Sequence, residues 1–204
     1  MAGSDQRRDQ MLAAAAELIA ERGYSETRIA DVAKRVGASS ALVVYYFGTK
    51  DHLLTEALRY SDRLFYDVAD RLLEETEGVR EQLELLVTLT CIPEGDDELP
   101  GAWGLWFDLW AQAFRHPEIS KDRQEADRRW RDTIKGVVNR GIKTGEIPRT
   151  NVETFALTFA ALLDGLAIQV ALEDPDLDPT RATKIAMEFA TLTLSLPKPK
   201  RKRR

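Results

Sequence analysis

The stretch 29–48 restricts the fold of this chain more than any other. Ile29, Val32, Ala33 and Val36 recur at i, i+3, i+4 and i+7, and Gly37 follows directly. That spacing lays one apolar stripe along a short helix. Gly37 stops it, because a left-handed turn is cheap only for glycine. A second short helix is expected over 40–47, ended by Gly48. Two short helices joined by a tight glycine turn are the geometry of a helix-turn-helix, whose second helix enters the major groove of DNA. Ala33 is small where the two helices come closest. With Val43 and Phe47 packed inward, a rotation of about 100° per residue turns Ala41, Val44 and Tyr45 outward, flanked by Ser40.

Around this stretch the pattern stays helical, with no run of alternating β-branched residues. A first helix is expected over 5–22, with the stripe Leu12, Ala15, Ala16 and Ile19, and Gly23 closes it. Thr27 is placed to cap the helix that starts at Ile29. A longer helix runs from Lys50 toward Glu77, and further ones are expected over 79–91, 103–114, 117–144, 151–173 and 179–196. Thr150 and Glu153 have capping-box spacing, and Asp178-Pro179 supplies a cap with proline at the first helical position. The expected fold is all-α with about nine helices. A head at 5–49 carries the motif 29–48, a ligand-binding and dimerisation body spans 50–197, and the basic tail 198–204, with nothing apolar to bury, is expected to be disordered.

The formal net charge is −5, but its distribution matters more. Residues 1–50 hold seven Lys/Arg against six Asp/Glu, residues 51–197 hold 16 against 28, and 198–204 hold six basic residues and no acidic one. An acidic body repels DNA, so contact must come from the head or the tail. Cys91 is the single cysteine and excludes an internal disulfide. The most apolar long segment, 155–172, contains Asp164 and Gln169, which disfavours a membrane span. A cytoplasmic protein without a membrane partner is expected. Two histidines, one cysteine, no glycine-rich phosphate loop and no clustered metal ligands leave no catalytic constellation, so neither enzyme, cofactor nor metal is expected.

Ser40, Ala41, Val44 and Tyr45 are the candidates to meet base edges. Such a surface suits thymine methyl groups and lacks the arginine that grips guanine at two points. Ser39 and Ser40 stand at the helix N-terminus, where amides favour a phosphate. Thr27, Arg28, Tyr46 and Lys50 lie at the edges as phosphate contacts, which position the head without reading sequence. The alternative is a plain three-helix core with both tyrosines as packing residues, but adjacent Tyr45 and Tyr46 cannot both point inward.

The order Thr27-Arg28-Ile29-Ala30-Asp31-Val32-Ala33, Gly37-Ala38-Ser39, Tyr45-Tyr46-Phe47, then Lys50 with Leu53-Leu54, resembles the TetR family of transcriptional regulators from about Asp5 to Leu58. The resemblance implies base reading by the helix at 40–47 and phosphate contact at the start of the next. It also implies dimerisation through the last two helices, an apolar ligand pocket in the body, and repression released by ligand. Val44 and Gly48 depart from the family pattern, where tyrosine and lysine are common, so operator preference is expected to differ.

For dimerisation the candidates are Ala156, Ala160, Leu163, Ala167 and Ala171 with Ile185 and Phe189, a largely small-residue stripe suited to a four-helix interface. The alternative is that these stripes face the chain's own core. For the effector the candidates are Trp103, Trp106, Phe107 and Trp110, with Trp130 and Phe159 from other helices. Aromatic residues at helical spacing also make ordinary core. As a pocket, and with Asp108 or Asp164 nearby, they suit either a cation or a flat apolar compound. The expected partners are double-stranded operator DNA, a second copy of the chain, and this unidentified small molecule. A competing possibility is a helical interaction protein whose acidic body docks a basic partner.

The tail 198–204 either adds sequence-independent attraction to phosphate or only solubilises the chain. If it touches DNA, deleting it flattens the salt dependence of binding by about 0.9 in log–log slope for each phosphate it neutralises. An unchanged slope in a salt titration removes the tail from binding.

Overall fold

The computed structural model describes residues 2–91 and 102–196. Those residues form nine helices: α1 (Ala2–Arg22), α2 (Ile29–Arg35), α3 (Ser40–Phe47), α4 (Lys50–Glu75), α5 (Val79–Cys91), α6 (Ala102–Ala113), α7 (Pro117–Thr144), α8 (Val152–Ala171) and α9 (Pro179–Leu194). The tail expected over 198–204 and the acidic loop at 93–100 lie outside them. The fold is all-α, as the periodicity predicts.

Packing divides the chain into two compact units, with the boundaries inside α4 and α7. The first unit holds α1, α2, α3, α4 as far as Asp67, α6, and α7 up to Ala126. The second holds the remainders of α4 and α7 together with α5, α8 and α9. The functional division expected at 49/50 therefore does not coincide with a packing boundary, because α6 lies along α1.

The first unit is built on Met11, Leu12, Ala15, Leu18 and Ile19 of α1, which pack with Val32, Ala33, Val43, Phe47, Leu53, Leu54, Leu105 and Leu109. Gly37, at φ +62°, makes the turn between α2 and α3, and the Ala38 amide donates back to Ala33 O at 2.8 Å. That bond satisfies a carbonyl the end of α2 leaves open. Thr27 does not cap α2 as expected. It is fully buried, and its hydroxyl donates to Gly23 O at 2.9 Å. Arg28 holds the cap position without a side-chain bond.

In the second unit α8 packs against both α5 and α9. Phe155, Phe159 and Phe189 stack, with ring centroids 5.2, 6.0 and 6.3 Å apart and planes within 19° of parallel. The Gln82 amide donates to Leu73 O and Thr76 O at 2.9 Å each, meeting carbonyls that the end of α4 leaves without helical partners. Cys91 is buried beside this core. Burial, reinforced by the negative charge of Asp164, pushes its thiol up to about 12. The cap of α8 is Asn151, whose Oδ1 accepts from Thr154 N at 3.0 Å, so the Thr150–Glu153 box expected there does not form. Asp178 and Pro179 begin α9 as predicted.

The small-residue stripe of α8 requires a correction. Ala156, Leu163 and Ala167 are fully buried in this chain and Ala160 is 6% exposed. They let α8 approach α5 and α9 closely and leave no surface for a second copy. Ala171, Ile185 and Phe189 are half-buried. Leu157 (58%), Leu172 (70%) and Leu192 (83%) lie uncovered instead.

Replacing Phe159 by alanine removes the middle of the ring stack and leaves a cavity. The expected loss is about 3–5 kcal/mol of folding stability, measured by denaturant unfolding.

Candidate nucleic-acid interface and aromatic face

The surface of α3 follows from which residues its core takes. Val43 is fully buried and Phe47 3% exposed, while Val44 is 44% and Tyr45 82% exposed. Ser40 and Ala41 are exposed on the same outer side. The structure thus brings together the four residues expected to meet bases. Tyr46 is half-buried against the first unit's core, and its ring meets Tyr45 edge-on at 5.6 Å. One adjacent tyrosine anchors and the other projects.

Ser39 caps α3, its Oγ accepting from Leu42 N at 3.2 Å. That uses an acceptor lone pair and leaves the hydroxyl proton free to donate to a phosphate. Arg28 is exposed at the start of α2. Lys50 is half-buried and donates through Nζ to Ser25 O at 2.7 Å, with two further ammonium protons to offer. Thr27 is the exception: its burial removes it from the phosphate contacts expected of it.

Two residues not singled out in the sequence secure the exit of α3. Thr49 Oγ1 accepts from His52 N at 3.1 Å at the start of α4, and His52 Nδ1 bonds Phe47 O at 2.8 Å. The signal was a threonine directly before a helix start, with histidine three positions on. A chain of charges secures the other side. The Arg8 guanidinium lies 5.4 Å from the Phe47 ring centre, and Arg8 bonds Glu56 at 2.9 Å. Glu56 also bonds Arg59 at 2.7 Å, and Arg59 reaches Asp122 at 2.9 Å. Burial works against the Glu56 charge, but its hydrogen bonds to Arg59 and Arg8 outweigh it and hold the carboxyl below its ordinary value.

The expected effector residues divide between the two units. In the first, Leu105 and Leu109 anchor α6 in the core, and Trp106, Phe107 and Trp110 are half-buried beside them. Trp106 meets Phe65 edge-on at 6.1 Å, and Phe107 meets Trp110 at 6.1 Å. The side chain of Trp103 lies outside the described residues. In the second unit Trp130 is buried, and Phe159 is fully buried in the ring stack. Asp108, expected as a counter-ion for a ligand, is engaged elsewhere: its Oδ2 accepts from Tyr24 N at 2.8 Å. Among the described residues no group of three or more His, Cys, Asp or Glu could hold a metal.

Residues 11–57 match the family model for bacterial regulatory proteins of the tetR family, and 67–195 match that of the BetI-type transcriptional repressor, C-terminal. The chain belongs to the TetR family. The HTH-type transcriptional regulator BetI of Escherichia coli strain K12 is 31% identical over 190 residues, 91% of this chain and 92% of that protein. A crystal structure of a transcriptional regulator from Saccharomonospora viridis in complex with choline superposes with a TM-score of 0.83 at 31% identity, covering 94% of this chain and 98% of that one. A TetR-family regulator from Rhodococcus sp. shares the fold at TM-score 0.78 and 24% identity, over 93% and 99% of the two chains. This TetR-family member is a DNA-binding transcriptional regulator with a repressor-type body, not an enzyme.

Tyr45→Ala is expected to cost about 1–3 kcal/mol of specific operator affinity per head. Because the side chain is exposed, folding stability changes by less than about 0.5 kcal/mol. Gel shift paired with thermal melting checks both.

Proposed function

We propose that this regulator is a cytoplasmic homodimeric repressor that occupies a palindromic operator and is released by a small quaternary-ammonium effector. The observation that carries it is the free outer face of α3, with Tyr45 82% exposed above a buried Val43. In this proposal residues 5–49 act as the head. Ser40, Ala41, Val44 and Tyr45 meet base edges, while Arg28, Ser39, Tyr46 and Lys50 hold phosphates.

A single head contacts too little DNA for useful specificity, so two are needed on a two-fold site, about 34–36 Å apart on one face of B-DNA. The second copy would bind on the apolar outer side of α8 and at exposed Leu192 near the end of α9. Leu157, Ala161 and Ile168 share one side of α8 at helical spacing, Leu172 follows at its C-terminal cap, and Leu192 projects from α9 at 83% exposure. These residues replace the buried alanine stripe as the dimer contacts.

The effector class draws on the choline bound by the 31% identical regulator. It also draws on the half-exposed rings of Trp106, Phe107 and Trp110, whose π faces attract a cation that water solvates weakly. Reciprocity then requires operator DNA to weaken the effector by the same factor that the effector weakens DNA.

Gel shift and footprinting on DNA upstream of the gene, with and without choline, test this directly. A protected two-fold site that disappears with choline is expected, together with a change in tryptophan fluorescence. Protection that ignores choline, with fluorescence responding only to flat apolar compounds, overturns the effector class. Leu157→Glu is expected to yield monomers in sedimentation, and an intact dimer refutes the α8–α9 interface.

A further inference from the structure

Gly104 and Asp108 stand four residues apart on α6 and so share one side of it. Both meet the end of α1. A Cβ on Gly104 would lie 2.7 Å from Ala20 O and 3.2 Å from Ala20 Cα, too close for any side chain against backbone. Glycine is therefore what lets α6 come down onto α1. One turn on, Asp108 Oδ2 accepts from Tyr24 N at 2.8 Å, the first amide after Gly23.

The turn it grips leads into α2. Gly23 O accepts both the amide and the hydroxyl of Thr27, at 3.2 and 2.9 Å. From the start of α4, Lys50 Nζ holds Ser25 O at 2.7 Å. The same first turn of α4 holds the end of α3 through His52 and Phe47 O at 2.8 Å. Asp108 on α6 and Lys50 on α4 thus both hold the turn from which α2 starts, and the Lys50 end of α4 also carries the exit of α3. At about 100° per residue, Trp106 and Trp110 fall on the side of α6 away from Gly104 and Asp108, with Phe107 on the flank between.

We propose that Asp108 is a positioning residue for operator binding. Its carboxylate, held on the Tyr24 amide, keeps α2 and α3 in the DNA-reading arrangement. An effector stacking on the aromatic side of α6 weakens DNA binding by drawing that carboxylate off the turn. The second step rests on the effector class proposed above; the first does not.

The test uses the full chain and its operator, measured by fluorescence anisotropy. Without choline, Asp108→Ala is expected to lose about tenfold in operator affinity, the scale of one hydrogen bond to a charged group. Asp108→Asn, whose side-chain oxygen still accepts, stays within about threefold of the parent. With choline, Asp108→Ala still shows the fluorescence change, but choline's effect on operator affinity falls toward onefold. A general loss of fold would not produce that pattern. Parent-like operator affinity in Asp108→Ala, or an Asp108→Asn variant as weak as Asp108→Ala, overturns the proposal. Should Asp108→Ala fail to fold, Gly104→Ala decides. Its methyl group lifts α6 from Ala20, and unchanged operator affinity in a folded Gly104→Ala protein refutes the proposal equally. If choline leaves the fluorescence of every form unchanged, the effector class fails, and the choline-free comparisons still decide the role of Asp108.

Discussion

Val43 and Phe47 stand one turn apart on α3, and the core of α1, α2 and the start of α4 takes both. Burying side chains of this size contributes about 1.5–3 kcal/mol each. Rolling α3 to tuck Tyr45 away would expose both residues and forfeit that contribution, with nothing comparable gained. The 82% exposure of Tyr45 follows from this packing, since α3 has only one arrangement that keeps its apolar side dry. Arg8 over the Phe47 ring and His52 on the Phe47 carbonyl fix the same residue from two more directions. A surface that must match base edges within a fraction of an ångström needs such an anchored underside.

The second unit resolves a different competition. α8 is apolar on most of its circumference, and its small residues permit close approach wherever they face. Phe155 and Phe159 of α8, stacked with Phe189 of α9, decide the orientation, because two large rings bury far more area than a run of alanines. Once they turn inward, Ala156, Leu163 and Ala167 follow them, and the leucines at 157 and 172 are left outside. A small-residue stripe therefore signals close helix packing without saying whose helix is packed.

Polar groups set the geometry between helices in the first unit. Glu56 joins Arg8 of α1 to Arg59, and Arg59 reaches Asp122 of α7. Lys50 of α4 and Asp108 of α6 both hold the turn after α1. Both commit to the fold a charge that the sequence offers for phosphate or ligand. Lys50 keeps protons to share, whereas the Asp108 carboxylate lies against Gly23 and Tyr24. Backbone groups at a sharp turn need partners wherever water is excluded, and a nearby charged side chain is the strongest one available.

The amino-acid sequence by itself determined the helices, their glycine stops and the outward side of α3, because these depend on residues within a few positions of one another. Periodicity and local caps carry that information. It missed Thr27, Asn151 and the direction of the α8 stripe. The hydroxyl of Thr27 could cap a helix or bond back to Gly23, and the core around it settled the choice. The placement of Asp108 was also beyond it, since Tyr24 lies 84 residues away in the chain. Only the tertiary structure decided which apolar faces meet and which charges are consumed. Those outcomes come from competition for buried area and hydrogen bonds among distant segments, which no local pattern records.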